Sequence, residues 1–356
     1  FMTKLDMPMT PMVIGLVLGF ILLVVLNPGA SLEGMKAMMT TGFASMDKLG
    51  KVLYQAAPLM MCGLSVGFAF KTGLFNIGAA GQYVAGACAC LYAALYLHWH
   101  WLPCMLLAIA AGALLGTISG LLKSSFNVSE VISGIMLNWI ALYTTNMLLT
   151  NVKEPTSPYT YQLKAEGPQA ILPGISLSKL LSNNQYVTIA IPIAIVCAVV
   201  IWVVLSKTLF GYELKATGYN KNAAKYCGMA EKRNIILSLM ISGALAGMGA
   251  AMLYLTGYEQ WQCSTSSVPA MGFNGISTAL LACSNPIGTI FSSLFISYIT
   301  VGGTKLSTQY YTKEIADVIT ALIIYLCAFS LLFKNKIRAL LVGKAKRVSV
   351  GKGGDD

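Results

Sequence analysis

Charged side chains are scarce in this sequence of 356 residues. Asp, Glu, Lys and Arg make up 10% of it, against 56% hydrophobic residues, and the mean hydropathy is +0.69. A soluble domain carries roughly 25% charged residues, so the chain has too little charge to cover a water-soluble surface. The composition excludes a soluble enzyme, a secreted disulfide scaffold and a disordered chain. It predicts an all-α integral membrane protein.

Residues typical of metal sites and catalysis are also few. The two histidines, His98 and His100, stand beside Trp99 and Trp101 at the end of an apolar run, as in an interfacial aromatic belt. The nine cysteines include no CxxC pair, and most lie in or beside apolar runs, where Cys acts as a small hydrophobe. No phosphate-binding GxxxxGK[ST] motif is present. The sequence therefore predicts no metal, no catalytic residue and no cofactor bound by this chain.

Long apolar runs are abundant and define candidate spans. The candidates are 12–26, 52–70, 77–97, 102–122, 128–150, 187–206, 235–257, 272–283, 286–303 and 315–333. The stretch 272–283 is too short to cross alone, and Asn285-Pro286 separates it from the next run. We therefore expect about ten transmembrane helices, including one short, interrupted pair within 272–303. Residues 1–333 are predicted to form a single membrane domain.

The distribution of basic residues predicts the orientation. The net charge is +11, and with ten crossings and an inner N-terminus, 16 of the 24 Lys and Arg residues fall on the inner side. This places both termini in the cytoplasm, residues 151–186 outside as a loop, and residues 207–234 inside. Residues 334–356 are predicted to form a basic cytoplasmic tail, of which 334–352 is expected to contact anionic lipid headgroups. In a membrane protein this positive charge reflects cytoplasmic loops, so no nucleic-acid partner is expected.

Ionisable side chains are nearly absent at membrane depth. Glu130 is the one carboxylate there, and no Lys or Arg lies deep in a span. Ion-driven transporters usually have several buried ionisable groups, which argues against that class. The sequence around Glu130 favours a structural role, with Asn127 as N-cap and Glu130 at the third helical position. A functional role for Glu130 remains the alternative.

Small residues recur four apart on several spans. The stripes are Gly63 and Gly67; Gly112, Gly116 and Gly120; and Gly243 and Gly247. In lipid, such stripes let helix backbones approach closely and gain van der Waals contact. They predict helix packing within the chain, with a subunit interface as the alternative.

One segment of the loop 207–234 has the signals of a short capped helix. Asn220 suits an N-cap, 221–227 make about two turns, and Gly228 suits the left-handed position after the helix. Its basic side chains, Lys221 and Lys225, and its small face of Ala223 and Ala224 fit a groove on a partner. The alternative is a surface helix lying on headgroups.

Four stretches of sequence, in the same order, resemble bacterial ABC importer permeases for simple sugars and nucleosides. They are GYELKATGYNKNAAKYCGM at 211–229, GLFNIGAAGQ at 73–82, EVIS and IMLN within 130–138, and GFNGI followed by ALL and NP within 272–286. Together they cover roughly residues 50–305 and are most similar to the nucleoside branch. Ser129 departs from the pattern, which has Asn before the Glu.

The resemblance implies a division of labour. The chain would be the permease subunit of an ATP-driven importer in the bacterial cell membrane, moving a nucleoside or simple sugar inward by alternating access. A separate ATPase would bind ATP and Mg and push the short helix. A second permease chain would pair with this one. An external lipoprotein would deliver the solute. The residues implied in ATPase coupling are Gly218, Asn220, Lys221, Ala223, Ala224, Lys225 and Gly228.

Amides and aromatic faces suit an uncharged, hydroxyl-rich solute, because they bind it without burying a charge. The candidates for the substrate path are Gln55, Asn76, Gln82, Asn138, Trp139, Phe273 and Asn274. The alternative is that the amides tie helices together.

An ion-coupled secondary transporter of a small polar solute remains the second hypothesis for function. A membrane enzyme and a scaffold are weaker, because the chain lacks a recognisable acid–base pair and has the capped helix.

Overall fold

The structure, a computed structural model, describes residues 9–174 and 184–309, together with 318, 321, 322 and 325. Within these residues the secondary structure is helical, with three isolated β-bridges in the loops and no strand. The prediction of an all-α chain is thus confirmed. Most of the predicted span 315–333 and all of the tail 334–356 lie outside the described residues.

The helices of the described residues follow one another along the chain. They are α1 (Met9–Leu26), α2 (Ser31–Thr41), α3 (Met46–Lys71), α4 (Ala79–Leu95), α5 (Trp101–Phe126), α6 (Glu130–Leu149), α7 (Leu163–Glu166), α8 (Ala190–Lys207), α9 (Leu209–Tyr219), α10 (Lys221–Tyr226), α11 (Glu231–Tyr254), α12 (Ala270–Leu281) and α13 (Pro286–Gln309). Two compact units divide the chain. One comprises Thr40–Gly302, and the other comprises Phe1–Met39 and Gly303–Asp356. The single domain expected over 1–333 stays a prediction.

Six of the described helices are long and apolar enough to cross a membrane. They are α3, α5, α6 with the turn after it, α8, α11 and residues 286–305 of α13. Shorter apolar helices are Leu16–Val25, α4 and α12. On α5, α6 and α8 the outward side chains are large and hydrophobic, for example Leu114, Met136 and Val196. The total of ten crossings and the placement of the termini stay predictions.

The predicted break after residue 283 is confirmed. Helix α12 has only 12 residues, and Cys283 and Ser284 adopt left-handed backbone conformations with φ of 52° and 53°. The Asn285 side chain accepts a hydrogen bond from the Ile287 amide at 3.1 Å, and α13 begins at Pro286. Proline suits the first position of a helix because that amide needs no helical partner. The short helix is therefore separated from α13 by only a few residues.

Some helices outside the apolar runs were not predicted, among them α2 and α9. Helices α2 and α9 hold too many polar residues for a search based on apolar length. The Thr208 hydroxyl caps α9 by accepting from the Gly211 amide at 3.1 Å. A polar, capped helix of this kind is visible in sequence only through its cap.

The expected capping box at Asn127 is wrong. Asn127 ends α5 in the left-handed conformation (φ 55°), a position that Asn tolerates well. Ser129 precedes α6, without a side-chain cap. Glu130 instead pairs with Lys123, with 2.7 Å between Nζ and Oε2. The carboxylate therefore links the end of α5 to the start of α6.

A glycine seam joins α5 to α11, formed by Gly112 and Gly116 on one side and Gly243 and Gly247 on the other. A Cβ added to Gly112 would lie 2.2 Å from the Gly243 carbonyl oxygen, and one added to Gly247 would lie 2.2 Å from the Ala108 oxygen. Backbones this close leave no room for a side chain. The stripes at these positions therefore pack within the chain, as predicted.

Candidate functional site

Three of the seven proposed path residues are buried amides with protein partners. Asn76, in the turn between α3 and α4, donates through Nδ2 to Gln82 Oε1 at 2.7 Å and to Ser242 Oγ at 2.6 Å. Asn76 and Gln82 are each 2% exposed. Amides that are this buried and bonded hold α4 and α11 against the turn. The interpretation that amides tie helices together is therefore favoured at these two positions.

Asn138 performs a similar task between α6 and α4. Its Oδ1 accepts from the Gly81 amide at 2.7 Å, and its Nδ2 donates to the Ile77 carbonyl at 3.2 Å. A Cβ on Gly81 would lie 2.6 Å from Asn138 Oδ1, so this approach needs glycine. The sequence motifs around 76–82 and 130–138 thus meet in space through one buried amide.

The other four path candidates are more accessible and lie on three different helices. Trp139 on α6 is 41% exposed and stacks on Tyr143, with ring centroids 6.0 Å apart. Phe273 on α12 is 39% exposed, and its neighbour Asn274 is half-buried. Gln55 on α3 is half-buried, and its Oε1 atom is buried without a hydrogen-bond partner among the described residues. Trp139 and Phe273 are therefore the path candidates that a solute could contact without a rearrangement.

Helices α3 and α12 pack closely enough to share one surface. A Cβ on Gly275 would lie 2.7 Å from Cys62 Cβ, and one on Gly63 would lie 2.7 Å from Thr278 Cγ2. Gly272, Gly275 and Thr278 form the buried face of α12, while Phe273 and Asn274 point away from that face. The polar and aromatic side of α12 is therefore left uncovered by this contact.

The short capped helix predicted in 207–234 is confirmed as α10. The Asn220 side chain accepts from the Ala223 amide at 3.0 Å, and Gly228 adopts a left-handed φ of 80°. The helix ends at Tyr226, one residue before the predicted limit. Asn220 and Gly228 therefore fix the two ends of α10.

The predicted docking face of α10 is wrong at one position. Lys221, Ala223 and Lys225 are exposed, whereas Ala224 is only 3% exposed. Helix α10 packs against α9 and α11, and Ala224 is the residue it buries there. A partner can reach Ala223 but not Ala224.

Two tyrosines at the ends of α9 and α10 were missed by sequence reasoning. Tyr219 is 91% exposed and Tyr226 is 92% exposed, and each is the last residue of its helix. Large exposed aromatic side chains on short helices are typical anchors of protein interfaces. The sequence does contain a signal for them. Both tyrosines stand beside predicted helix ends, in a segment with too few apolar residues to bury them.

Helix α9 is attached to the membrane helices by close contacts. The Asn234 amide of α11 donates to Thr217 Oγ1 at 2.9 Å. A Cβ on Gly218 would lie 2.5 Å from the Thr72 carbonyl carbon, and Gly73 has a left-handed φ of 75°. The coupling segment, residues 208–230, therefore contacts both the turn after α3 and the start of α11.

Residues 49–328 match the family described as branched-chain amino acid transport system, permease component. The chain belongs to this permease family. The chain is 31% identical to the guanosine ABC transporter permease protein NupP of Bacillus subtilis, over 97% of this chain and 98% of the relative. It is 32% identical to the nucleoside ABC transporter permease protein NupB of Lactococcus lactis, over 98% of each. A second Bacillus subtilis protein, the guanosine ABC transporter permease protein NupQ, is 27% identical over 69% of this chain and 78% of the relative.

No solved structure matches the chain. Membership of the permease family agrees with the six helices that can cross a membrane. The chain is an ABC transporter permease subunit, an integral membrane transport protein and not an enzyme. The resemblance noted from the four motifs is confirmed. The individual roles of the path and coupling residues stay predictions.

Proposed function

We propose that this permease imports nucleosides as one subunit of an ATP-driven transporter. The observation that carries the proposal is the similarity, along nearly the whole chain, to two permeases named for guanosine and for nucleosides. Full-length similarity includes the surfaces that line a solute path as well as those that pack helices. A nucleoside is uncharged and combines an aromatic base with a hydroxyl-rich sugar. Amides and aromatic faces can bind such a solute without burying a charge.

The solute path in this proposal uses the accessible candidates Gln55, Trp139, Phe273 and Asn274. The exposure of Trp139 and Phe273 supports contact with solute. Gln55 Oε1 is buried without a hydrogen-bond partner among the described residues, so it would accept from a sugar hydroxyl only after a movement that opens its surroundings. The role of Asn76, Gln82 and Asn138 is indirect, because their hydrogen bonds hold in place the helices that carry the path residues. Substituting them would change the path indirectly.

A separate ATPase, binding ATP and Mg, is proposed to grip the coupling segment from the cytoplasm. The six basic residues of 207–234 support an inner location under the positive-inside rule. The exposed Tyr219, Ala223 and Tyr226 supply a contact surface on short rigid helices. Both termini would then lie in the cytoplasm, and residues 151–186 would face outside, where a binding lipoprotein delivers solute. The ATPase would switch the permease between its outward-facing and inward-facing states through its different affinities for the two.

The second permease chain is proposed to be a different protein. Bacillus subtilis has two guanosine ABC transporter permease proteins, NupP and NupQ, and this chain is similar to both. The higher identity and coverage with NupP support a position equivalent to that chain in a pair of unlike permeases. Residues 334–352 of the basic tail are expected to contact anionic lipid.

The test is uptake into proteoliposomes that contain this permease, its ATPase and its permease partner. Labelled guanosine and uridine should accumulate when ATP is supplied to the ATPase side and the binding protein to the other side. Vanadate should stop the uptake, and dissipating ion gradients should leave it unchanged. Uptake that needs an ion gradient and ignores vanadate would establish the secondary transporter instead. Accumulation of glucose or ribose without guanosine or uridine would overturn the substrate assignment.

A further inference from the structure

One face of α11 holds a ladder of buried polar side chains. Asn234, Ser238 and Ser242 are four residues apart and are therefore stacked along the same side of the helix. Each is buried: Asn234 is 3% exposed, Ser238 is 1% and Ser242 is 0%. In a membrane such groups need partners within the protein. We call these three residues the polar ladder.

The first rung binds the coupling segment. Asn234 donates through Nδ2 to Thr217 Oγ1 at 2.9 Å, and the Thr217 hydroxyl donates to the Glu213 carbonyl at 2.8 Å within α9. The hydroxyl thus accepts from α11 while it donates to its own helix. Removing it leaves a buried amide hydrogen without this partner.

The second rung binds the end of α3. Ser238 and Thr72 join their hydroxyls, and Thr72 already donates to the Ala69 carbonyl at 2.9 Å. Ser238 is therefore the donor to Thr72. The arrangement repeats the first rung, with a threonine that donates back into its own helix and accepts from α11.

The third rung binds α3 and the turn that follows it. The Ser242 hydroxyl donates to the Ser65 carbonyl at 2.7 Å and accepts from Asn76 Nδ2 at 2.6 Å. Asn76 is also bonded to Gln82 at the start of α4. The three rungs therefore connect the coupling segment to Asn76 and Gln82. Successive rungs are about one helical turn apart on α11.

We propose that the polar ladder transmits the movement of the coupling segment to α3 and to the turn that carries Asn76. This inference rests on the proposed function, since it needs an ATPase that pushes α9 and α10. At the third rung the Ser242 hydroxyl lies within hydrogen-bond distance of both the carbonyl oxygen and the hydroxyl of Ser65, at 2.7 Å and 3.0 Å, so this contact can be exchanged as the helices shift. The ladder residues, with Thr217 and Thr72, are positioning residues that set how much of the push reaches the solute path.

The test compares two substitutions at each threonine. Thr217→Val and Thr72→Val keep the shape of the side chain and remove the hydroxyl, whereas Thr217→Ser and Thr72→Ser keep the hydroxyl and remove a methyl group. The readout is the ratio of guanosine moved to ATP hydrolysed in proteoliposomes of the full transporter. The Val variants should lower this ratio roughly threefold to tenfold, and the Ser variants should leave it near that of the unsubstituted chain.

Ser119→Ala is the matched control. Ser119 and Ser133 form a buried hydroxyl pair between α5 and α6, 3.3 Å apart and separate from the ladder. This variant should keep the ratio. The proposal for the ladder is refuted if the Val variants keep the ratio of transport to hydrolysis. It is also refuted if the ratio falls in the Ser variants and not in the Val variants, because only the packing of the methyl group would then matter.

Two further outcomes separate this inference from the proposed function. If the unsubstituted transporter moves no guanosine with ATP, the proposed function fails regardless of the variants. If Thr217→Val abolishes binding of the ATPase, the Thr72 variants become the test of the ladder. Thr72 is buried, so its substitution does not change the exposed docking surface directly. An unchanged ratio in Thr72→Val then overturns the ladder while leaving the importer in place.

Discussion

Helix α11 meets its neighbours in two different ways. Toward α5 it presents Gly243 and Gly247, where backbones touch with no side chain between them. Toward α3 and α9 it presents the polar ladder, where hydroxyls and amides lie between the helices. The glycine seam is well packed at only one distance between the backbones of α5 and α11. An added side-chain atom, or a sliding of one helix along the other, would bring main-chain atoms into collision. In the proposal above the ladder tolerates a small shift, because the Ser242 hydroxyl has two partners on Ser65. Helix α11 would then have a fixed side toward α5 and a more adjustable side toward α3 and α9.

The largest effect on stability is expected from the glycine seam. Gly243→Ala places a methyl group 2.2 Å from the Gly112 carbonyl oxygen, so the two backbones must separate. We expect a loss of about 1–3 kcal/mol, and Gly243→Leu should leave little folded protein. Thermal unfolding in detergent and the yield of monodisperse protein measure both. Gly67→Ala is the matched control, since its Cβ would lie 3.7 Å from its nearest neighbour atom. Equal tolerance at both positions would remove the distinction.

A smaller effect is expected from the ladder. Ser242→Ala removes a hydroxyl that bonds the Ser65 carbonyl and Asn76. Hydrogen bonds between membrane helices contribute about 0.6 kcal/mol on average and up to about 1.7 kcal/mol, so the unfolding temperature should fall less than in Gly243→Ala. The same thermal assay checks this order. A greater loss from Ser242→Ala would make the polar side the rigid one and reverse the comparison.

The smallest effect on stability is expected at the exposed end of the coupling segment. Tyr226→Ala should change the free energy of unfolding by no more than about 0.5 kcal/mol, because the side chain is 92% exposed. It should nevertheless weaken ATPase binding roughly tenfold or more if this aromatic anchors the interface. Titration of the purified ATPase against the permease in detergent measures the affinity. Lys153→Ala, in the loop after α6, is the control expected to leave binding unchanged.

The sequence was most informative where one local feature decides the structure. Asn220 and Gly228 predicted the limits of α10, and Asn285-Pro286 predicted the break between α12 and α13. The glycine stripes likewise predicted close packing, because only small residues allow it in lipid. Each of these features acts within a few residues of where it stands in the chain.

Features that depend on distant residues were not predictable. Asn76 meets Ser242 across 166 positions in the chain, so its role as a helix tie could not be separated from a solute contact. Ala224 is buried because α10 rests on α9 and α11, and α9 was itself not predicted. Asn127 suits both the position before a helix and the left-handed position after one. It ends α5 in the structure, and Glu130 then pairs with Lys123 across the turn between α5 and α6.

Gly73 and Gly218 bring the turn after α3 and the end of α9 together with no side chain between them. A Cβ on Gly73 would lie 2.5 Å from the Gly218 Cα, so the turn after α3 and the end of α9 meet main chain to main chain. No flexible side chain is present there to absorb a displacement by changing rotamer. In the proposed importer, a displacement of α9 would reach the turn after α3 at this contact directly, and would reach α11 through the polar ladder. The main chains here set how closely the two segments can approach each other.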